Sequence, residues 1–430
     1  MQKNERFHES WYEHTCRNGL KVILFQKPQF YTSAFLLMTP FGNLDCMQKD
    51  EKGTVYRAPS GTAHFLEHKL FESGSEDVMM RFSRLGANVN ASTSYDLTSY
   101  FFTTPSEEVT TPLSYLLDFV QSLSITEASV AREVKIILEE LAMYKQDPDS
   151  RLFNEVMRAV YQRNLLRDDI VGTEESIAAM TKSDLEAAYR RNYHPSRMTL
   201  IGVTPADHQE IIEAIEANQE KKDFGKGVLL SRIPEEEPEE TAEELVTIRM
   251  AIEHPRCAVC FKMKPFTGSN AELLKREWGL RLSLEAIFSP INPAFQGWID
   301  SGTITPYFSY DLDCSKDSFF LYFQDETADV DAVYAFVKEQ LDRMKEEPID
   351  EDALSQMKRR MIGTIIRVMD NPLDMIGSWA RGVLRELSIF EECGIVESLD
   401  SEFCLKMMQE ISLKNKSCLK LVSDSEPASF

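Results

Sequence analysis

No stretch of this 430-residue chain is apolar for long enough to cross a bilayer as a helix. The first residues, Met1-Gln-Lys-Asn-Glu-Arg6, lack an apolar h-region, so no secretory signal is expected and a cytoplasmic protein is the expectation. Basic residues are scarce beside acidic ones, 47 against 70, for a net charge of −23. Such a surface repels phosphate, which argues against nucleic acid as a partner. Close cysteine pairs are scarce too. Eight cysteines are dispersed, and only Cys257 and Cys260 stand near each other, in an alternating run to Met263 that reads as a strand. A zinc knuckle needs a second pair, so buried reduced thiols are expected instead. What is present is enough apolar residue, 43%, to bury the cores of two or three domains.

The most specific stretch is His64-Phe65-Leu66-Glu67-His68. It reads H-x-x-E-H, the inverted zinc-peptidase pattern. On a helix, His64 and His68 stand at i and i+4, one above the other, where both imidazoles reach a single metal. Glu67 sits at the edge of that face, placed for proton transfer rather than ligation. Ser60, Gly61 and Thr62 offer capping chemistry after Pro59. Ala63, Leu66 and Leu70 form an apolar stripe, and Gly74 is placed to end the helix.

A zinc site also needs a third protein ligand. Residues 124–147 read as a long helix, with Ser124-Ile-Thr-Glu127 as a capping box and Asp147-Pro148 as its end. Val130, Val134, Ile137 and Leu141 mark its core face. Glu133 and Glu140 lie two turns apart on one face, about 10 Å, so only one of them can bind the metal directly. Glu139 points about 100° away from Glu140 and is the weaker candidate.

Here the chain resembles the insulinase/pitrilysin zinc peptidases, the family that includes mitochondrial processing peptidase. Members carry H-x-x-E-H and, some seventy residues later, two glutamates seven apart. Glu133 and Glu140 match that pair, Glu140 falling 72 residues after His68. A family strand reading roughly G-x-x-N-A-x-T resembles Gly86 to Thr93, where Asn90, Ala91 and Thr93 follow in order, one residue further from the glycine. The resemblance implies His64, His68 and Glu140 as ligands of Zn²⁺, Glu67 as general base and Glu133 as a supporting member of the catalytic set. It implies Asn88, Asn90 and Ala91 as contacts for an extended peptide. The implied activity is that of a zinc metalloendopeptidase acting on short or unfolded peptides. The alternative is a non-catalytic or regulatory subunit of a two-subunit peptidase.

The chain in order predicts an α+β protein. Strands are expected at Leu20–Phe25 after the Asn18-Gly19 turn, at Thr32–Met38, Asn88–Thr93, Thr98–Thr103 and Met198–Val203, with a helix at Leu185–Arg191. An acidic, proline-interrupted stretch, 234–245, reads as a linker between domains 1–233 and 246–430. The second half repeats the plan: strands at 257–263, 317–323 and 418–422, and a helix at 271–288 that holds no histidine. A diverged duplication follows: two sandwich domains in tandem, each an antiparallel sheet with helices on one face, in the clam-shell arrangement the resemblance implies, the second without metal.

One departure stands out. Family members use an arginine and a tyrosine, seven residues apart around a glycine in the second half, to hold the substrate backbone. Anchored on Gly302, those positions are Trp298 and Thr305, with Tyr307 and Tyr310 nearby. The expectation is that a homologous partner subunit brings the pair, in a heterodimer, or that two copies of this chain form a homodimer.

Overall fold

Seven strands build the first sheet, in the order Gln2–Asn4, Glu9–Thr15, Lys21–Gln26, Thr199–Thr204, Thr32–Thr39, Thr98–Pro105, Asn88–Thr93. The computed structural model describes residues 1–72, 77–105 and 108–424. Thr199–Thr204 is buried along its whole length and Thr32–Thr39 from its second residue on, as central strands covered on both faces are. Asn88–Thr93 is an edge strand, paired only with Thr98–Pro105. A second sheet has five strands, in the order Leu245–Met250, Lys416–Ser423, Arg256–Lys262, Phe319–Asp325, Ser309–Cys314.

The two sheets share one plan. In each, the first and last strands of the repeat pair in parallel: Lys21–Gln26 with Thr199–Thr204, and Leu245–Met250 with Lys416–Ser423. The other pairings are antiparallel. The expected purely antiparallel sheets are thus mixed, because the last strand of each repeat returns beside the first after a run of helices. Cys257 and Cys260 lie in Arg256–Lys262, both buried, and burial lifts the Cys257 thiol to about 12 and Cys260 also upward.

The chain divides into two compact units, and they exchange helices. The first comprises Met1–Leu141, Asp169–Pro234 and Arg367–Arg385; the second Ala142–Asp168, Glu235–Ile366 and Glu386–Phe430. Helix Pro372–Arg385 lies on Thr32–Thr39 and Thr199–Thr204 of the first unit. Its Trp379 packs on Trp11 and Phe25, ring centroids 5.2 and 4.8 Å away. Helix Pro148–Val160 lies on Arg256–Lys262 and Lys416–Ser423 of the second unit. Contiguous domains 1–233 and 246–430 do not contain this exchange. An amphipathic stripe shows that a helix face is buried, not which sheet buries it.

The acidic stretch is anchored in the second unit. Glu237 accepts the N–H groups of Gln162, Arg163 and Asn164 at 2.7–2.8 Å and the ammonium of Lys262 at 2.5 Å. A carboxylate holding four donors is a structural tie, so 234–245 is not a free linker.

Candidate metal centre

The motif helix runs Thr62–Phe71. No side chain caps it. Gly61 stands at the cap in the left-handed region, φ 85°, and its N–H is taken by Oδ1 of Asn43 at 2.8 Å. A Cβ there would meet the carbonyl oxygen of Val171 at 2.2 Å, so glycine is required on both counts. Ala63, Leu66 and Leu70 are buried as expected. Gly74 lies outside the described residues.

The glutamate helix runs Glu127–Gln146. Its box lies two positions later than the expected Ser124–Glu127. Thr126 and Ser129 bond reciprocally, Ser129 N–H to Thr126 Oγ1 at 3.1 Å and Thr126 N–H to Ser129 Oγ at 3.0 Å. Asp147 caps the next helix, its Oδ2 accepting the N–H of Ser150 at 2.8 Å. Val130, Ile137 and Leu141 are buried, Val134 half-buried, and Glu139 exposed.

The two helices bring three side chains together. Nε2 of His64 is 3.7 Å from Oε1 of Glu140, and Nε2 of His68 is 3.4 Å from Oε2. Bonds of about 2.0–2.1 Å to a tetrahedral zinc set neighbouring ligands about 3.4 Å apart. The first separation is too long for a hydrogen bond and both suit a shared cation. Nδ1 of His64 is buried without a hydrogen-bond partner. Nδ1 of His68 bonds Oε1 of Glu133 at 3.0 Å, which leaves its Nε2 lone pair directed at the centre. The residues fit a zinc ion.

Electrostatics agree. Burial and the neighbouring His68 hold His64 at about 4, so it is neutral and its lone pair is open. Burial pushes His68 down, but Glu133 and Glu140 outweigh it and lift it to about 9; a divalent ion held there displaces that proton. Burial pushes Glu133 up, but His68 and Lys69 outweigh it and keep it below the ordinary carboxylate range.

Burial, first, raises Glu67 above its usual value, while the Thr93 hydroxyl and His68 pull it down and Glu140 adds to the rise. Oγ1 of Thr93 donates to Oε2 of Glu67 at 2.5 Å. Thr93 ends the edge strand, so the strand that carries Asn88, Asn90 and Ala91 touches the motif helix at Glu67. Asn88 and Asn90 are exposed and Ala91 half-buried; the Ala91 N–H is held by Oδ1 of Asn90 at 2.9 Å. Thr93 was readable as the last position of the strand pattern, but nothing in that pattern says which residue it bonds.

A second group with ligand chemistry, His14, Cys16 and Glu216, also lies in the first unit. It is closed on itself. Nε2 of His14 bonds Oε1 of Glu216 at 2.6 Å, and burial with Glu216 lifts the Cys16 thiol to about 12.

In the second unit, Trp298 is half-buried and packs on Phe336 with centroids 5.0 Å apart. The N–H and hydroxyl of Thr305 both donate to the Asp325 carboxylate. Both side chains are committed to holding the second unit together. Tyr307 is exposed.

Fold and site define a class: a duplicated α+β protein with one inverted-motif histidine pair and one glutamate helix. Residues 53–174 match the family model described as Insulinase (Peptidase family M16), and 179–361 the one described as Peptidase M16 inactive domain. An uncharacterized zinc protease, YmfH, of Bacillus subtilis (strain 168) is 32% identical over 407 residues, 94% of this chain and 95% of that protein. The beta subunit of the mitochondrial-processing peptidase of Neurospora crassa is 29% identical over 203 residues, 46% of this chain and 41% of that subunit. A putative M16-like peptidase from Alicyclobacillus acidocaldarius superposes with a TM-score of 0.91 at 28% identity, covering 98% of this chain and all of that one. The chain belongs to the insulinase family, peptidase family M16. Among the described residues no helix is long and apolar enough to cross a membrane.

Proposed function

We propose that this chain is a zinc metalloendopeptidase that cleaves short or unfolded peptides. The observation that carries the reading is the convergence of His64, His68 and Glu140 on one centre, 3.4 and 3.7 Å across, with Glu67 one residue from a ligand. Zinc, when bound, supplies Lewis acidity and lowers the pKa of its water to about 7. Glu67 takes up a proton and returns it to the leaving amine, a role helped by a carboxyl that burial raises above its ordinary value. Thr93 holds one oxygen of Glu67 and so fixes the direction of the other. Glu133 keeps His68 in the tautomer that ligates. The edge strand Asn88–Thr93 receives an extended peptide by main-chain pairing, with Asn88, Asn90 and Ala91 as its contacts.

Trp298 and Thr305 leave the substrate-anchoring pair to a homologous partner subunit, so full activity belongs to a dimer. The eight cysteines, none in a disulfide, support a reducing compartment, the cytoplasm. The test is Glu67→Gln in the full chain, with zinc content and cleavage of a peptide pool measured together. One bound zinc and a rate lower by about 10²–10⁴-fold are expected. Undiminished cleavage with zinc bound would remove Glu67 from the mechanism. Full turnover by the isolated chain would remove the partner.

A further inference from the structure

The residue after the second histidine, Lys69, is almost wholly buried, its side chain 1% exposed. Burying an ammonium is costly unless it is paired and hydrogen-bonded. Lys69 is. Its Nζ lies 3.3 Å from Oε2 of Glu133 and 3.4 Å from the carbonyl of Ser129, and pairs with Glu72 at the end of its own helix. Glu72 in turn pairs with Arg132 of the glutamate helix at 2.9 Å. The ammonium directs its bonds to Glu133, Ser129 and Glu72, not to the three residues that fit the metal. It takes no part in ligation or proton transfer, so its burial needs another reason.

The geometry supplies one. His68 and Lys69 are neighbours on the motif helix, and each holds one oxygen of the same Glu133 carboxylate. A carboxylate gripped at both oxygens by two residues of one helix cannot rotate or slide. Glu140 is two turns further along the helix that Glu133 belongs to. We infer that Lys69 is a positioning residue: it clamps the glutamate helix to the motif helix at Glu133 and so sets the reach of Glu140 to the metal. It also balances one of three carboxylates, Glu67, Glu133 and Glu140, that crowd a single site. The inference rests on the zinc reading above.

The test is zinc affinity of the full chain by competition with a chromophoric chelator, for wild type, Lys69→Met, Lys69→Arg, Glu133→Gln and the double variant Lys69→Met/Glu133→Gln. Thermal melting of each chelated protein reports folding separately. Loss of a residue that orients a ligand costs about 10–100-fold in metal affinity. That loss is expected for Lys69→Met, with part recovered in Lys69→Arg. Because Lys69 acts through Glu133, the double variant should bind zinc as Glu133→Gln does. This comparison leaves no unpaired buried charge, so it stands even where Lys69→Met alone does not fold. A double variant weaker than Glu133→Gln by a further tenfold, or wild-type affinity in Lys69→Met, overturns the clamp. Wild-type chain that binds no zinc, or that keeps its zinc in Glu140→Ala, overturns the zinc reading and the clamp with it.

Discussion

The two units build the same five-strand core and solve the same local problem in opposite ways. In each, a helix after the second strand of the repeat is followed, with two helices between, by a long charged one. In the first unit these are Thr62–Phe71 and Glu127–Gln146; in the second, Asn270–Phe288 and Glu351–Arg367. The second unit joins its pair with an ion pair, Glu285 to Arg360. Donor meets acceptor and nothing further is needed. The first unit instead brings two imidazole nitrogens and a carboxylate to one place. Against burial, Glu133 and Glu140 lift His68 to about 9, so without a metal it keeps its proton. A divalent ion would take that proton's place between imidazole and carboxylate. The difference teaches that a candidate metal site sets its ligand atoms 3.4–3.7 Å apart around one point instead of closing them in a short hydrogen bond. The His14, Cys16 and Glu216 group fails that criterion through its 2.6 Å bond.

The comparison can be broken by carrying one solution into the other unit. Glu140→Arg imports the second unit's pairing and should abolish zinc binding, from one ion per chain to none, with cleavage falling by at least about 10²-fold. Metal analysis and a peptide assay on the folded variant check it; retained zinc would show that Glu140 is not a ligand. Chelation should come next in size. A ligand at 100 times its Kd stabilises the fold that binds it by about 2.7 kcal/mol. Removing zinc should lower the melting transition of the first unit and leave the second in place, as read by hydrogen exchange on each sheet.

Arg360→Ala breaks the second unit's solution. It strands the buried Glu285 and should cost about 1–3 kcal/mol, toward the low end because Arg360 is itself largely exposed. Denaturant titration measures it, and zinc affinity should not change. The smallest effect sharpens the anchoring of 234–245. Burial pushes Glu237 up, but Lys262 and three backbone N–H groups outweigh it and leave it below its ordinary value of 4.5. A depressed carboxyl stabilises above the unfolded value, and that contribution is lost as pH falls through the folded one. Melting temperature between pH 5 and 3 should therefore fall less steeply in Glu237→Gln. An unchanged slope would mean the tie does not matter to the second unit.

Much of this was legible in the chain. H-x-x-E-H places two imidazoles on one helical face by periodicity alone, and the two-turn spacing of Glu133 and Glu140 limits ligation to one of them. Resemblance then named Glu140. Gly61 stood among the capping candidates, but the need for glycine there was not legible, because the reason is a carbonyl of Val171 more than a hundred residues away. Nor was the role of Thr93 or Lys69, since a hydroxyl and an ammonium reveal their partners only when strand and helix meet. Thr305 and Trp298 could be seen to be neither tyrosine nor arginine; that Asp325 and Phe336 employ them could not.

By itself the sequence determined the main elements, their periodic faces, the duplication and the histidine pair and two-turn glutamate spacing of the candidate site, because all of these depend on spacing along the chain. Tertiary structure alone decided that helices 148–160 and 372–385 serve the other half's sheet, that 234–245 is tied down, and that one lysine is sealed beside the candidate metal centre. Those depend on which surfaces meet, and burial against a particular neighbour leaves no mark in local pattern.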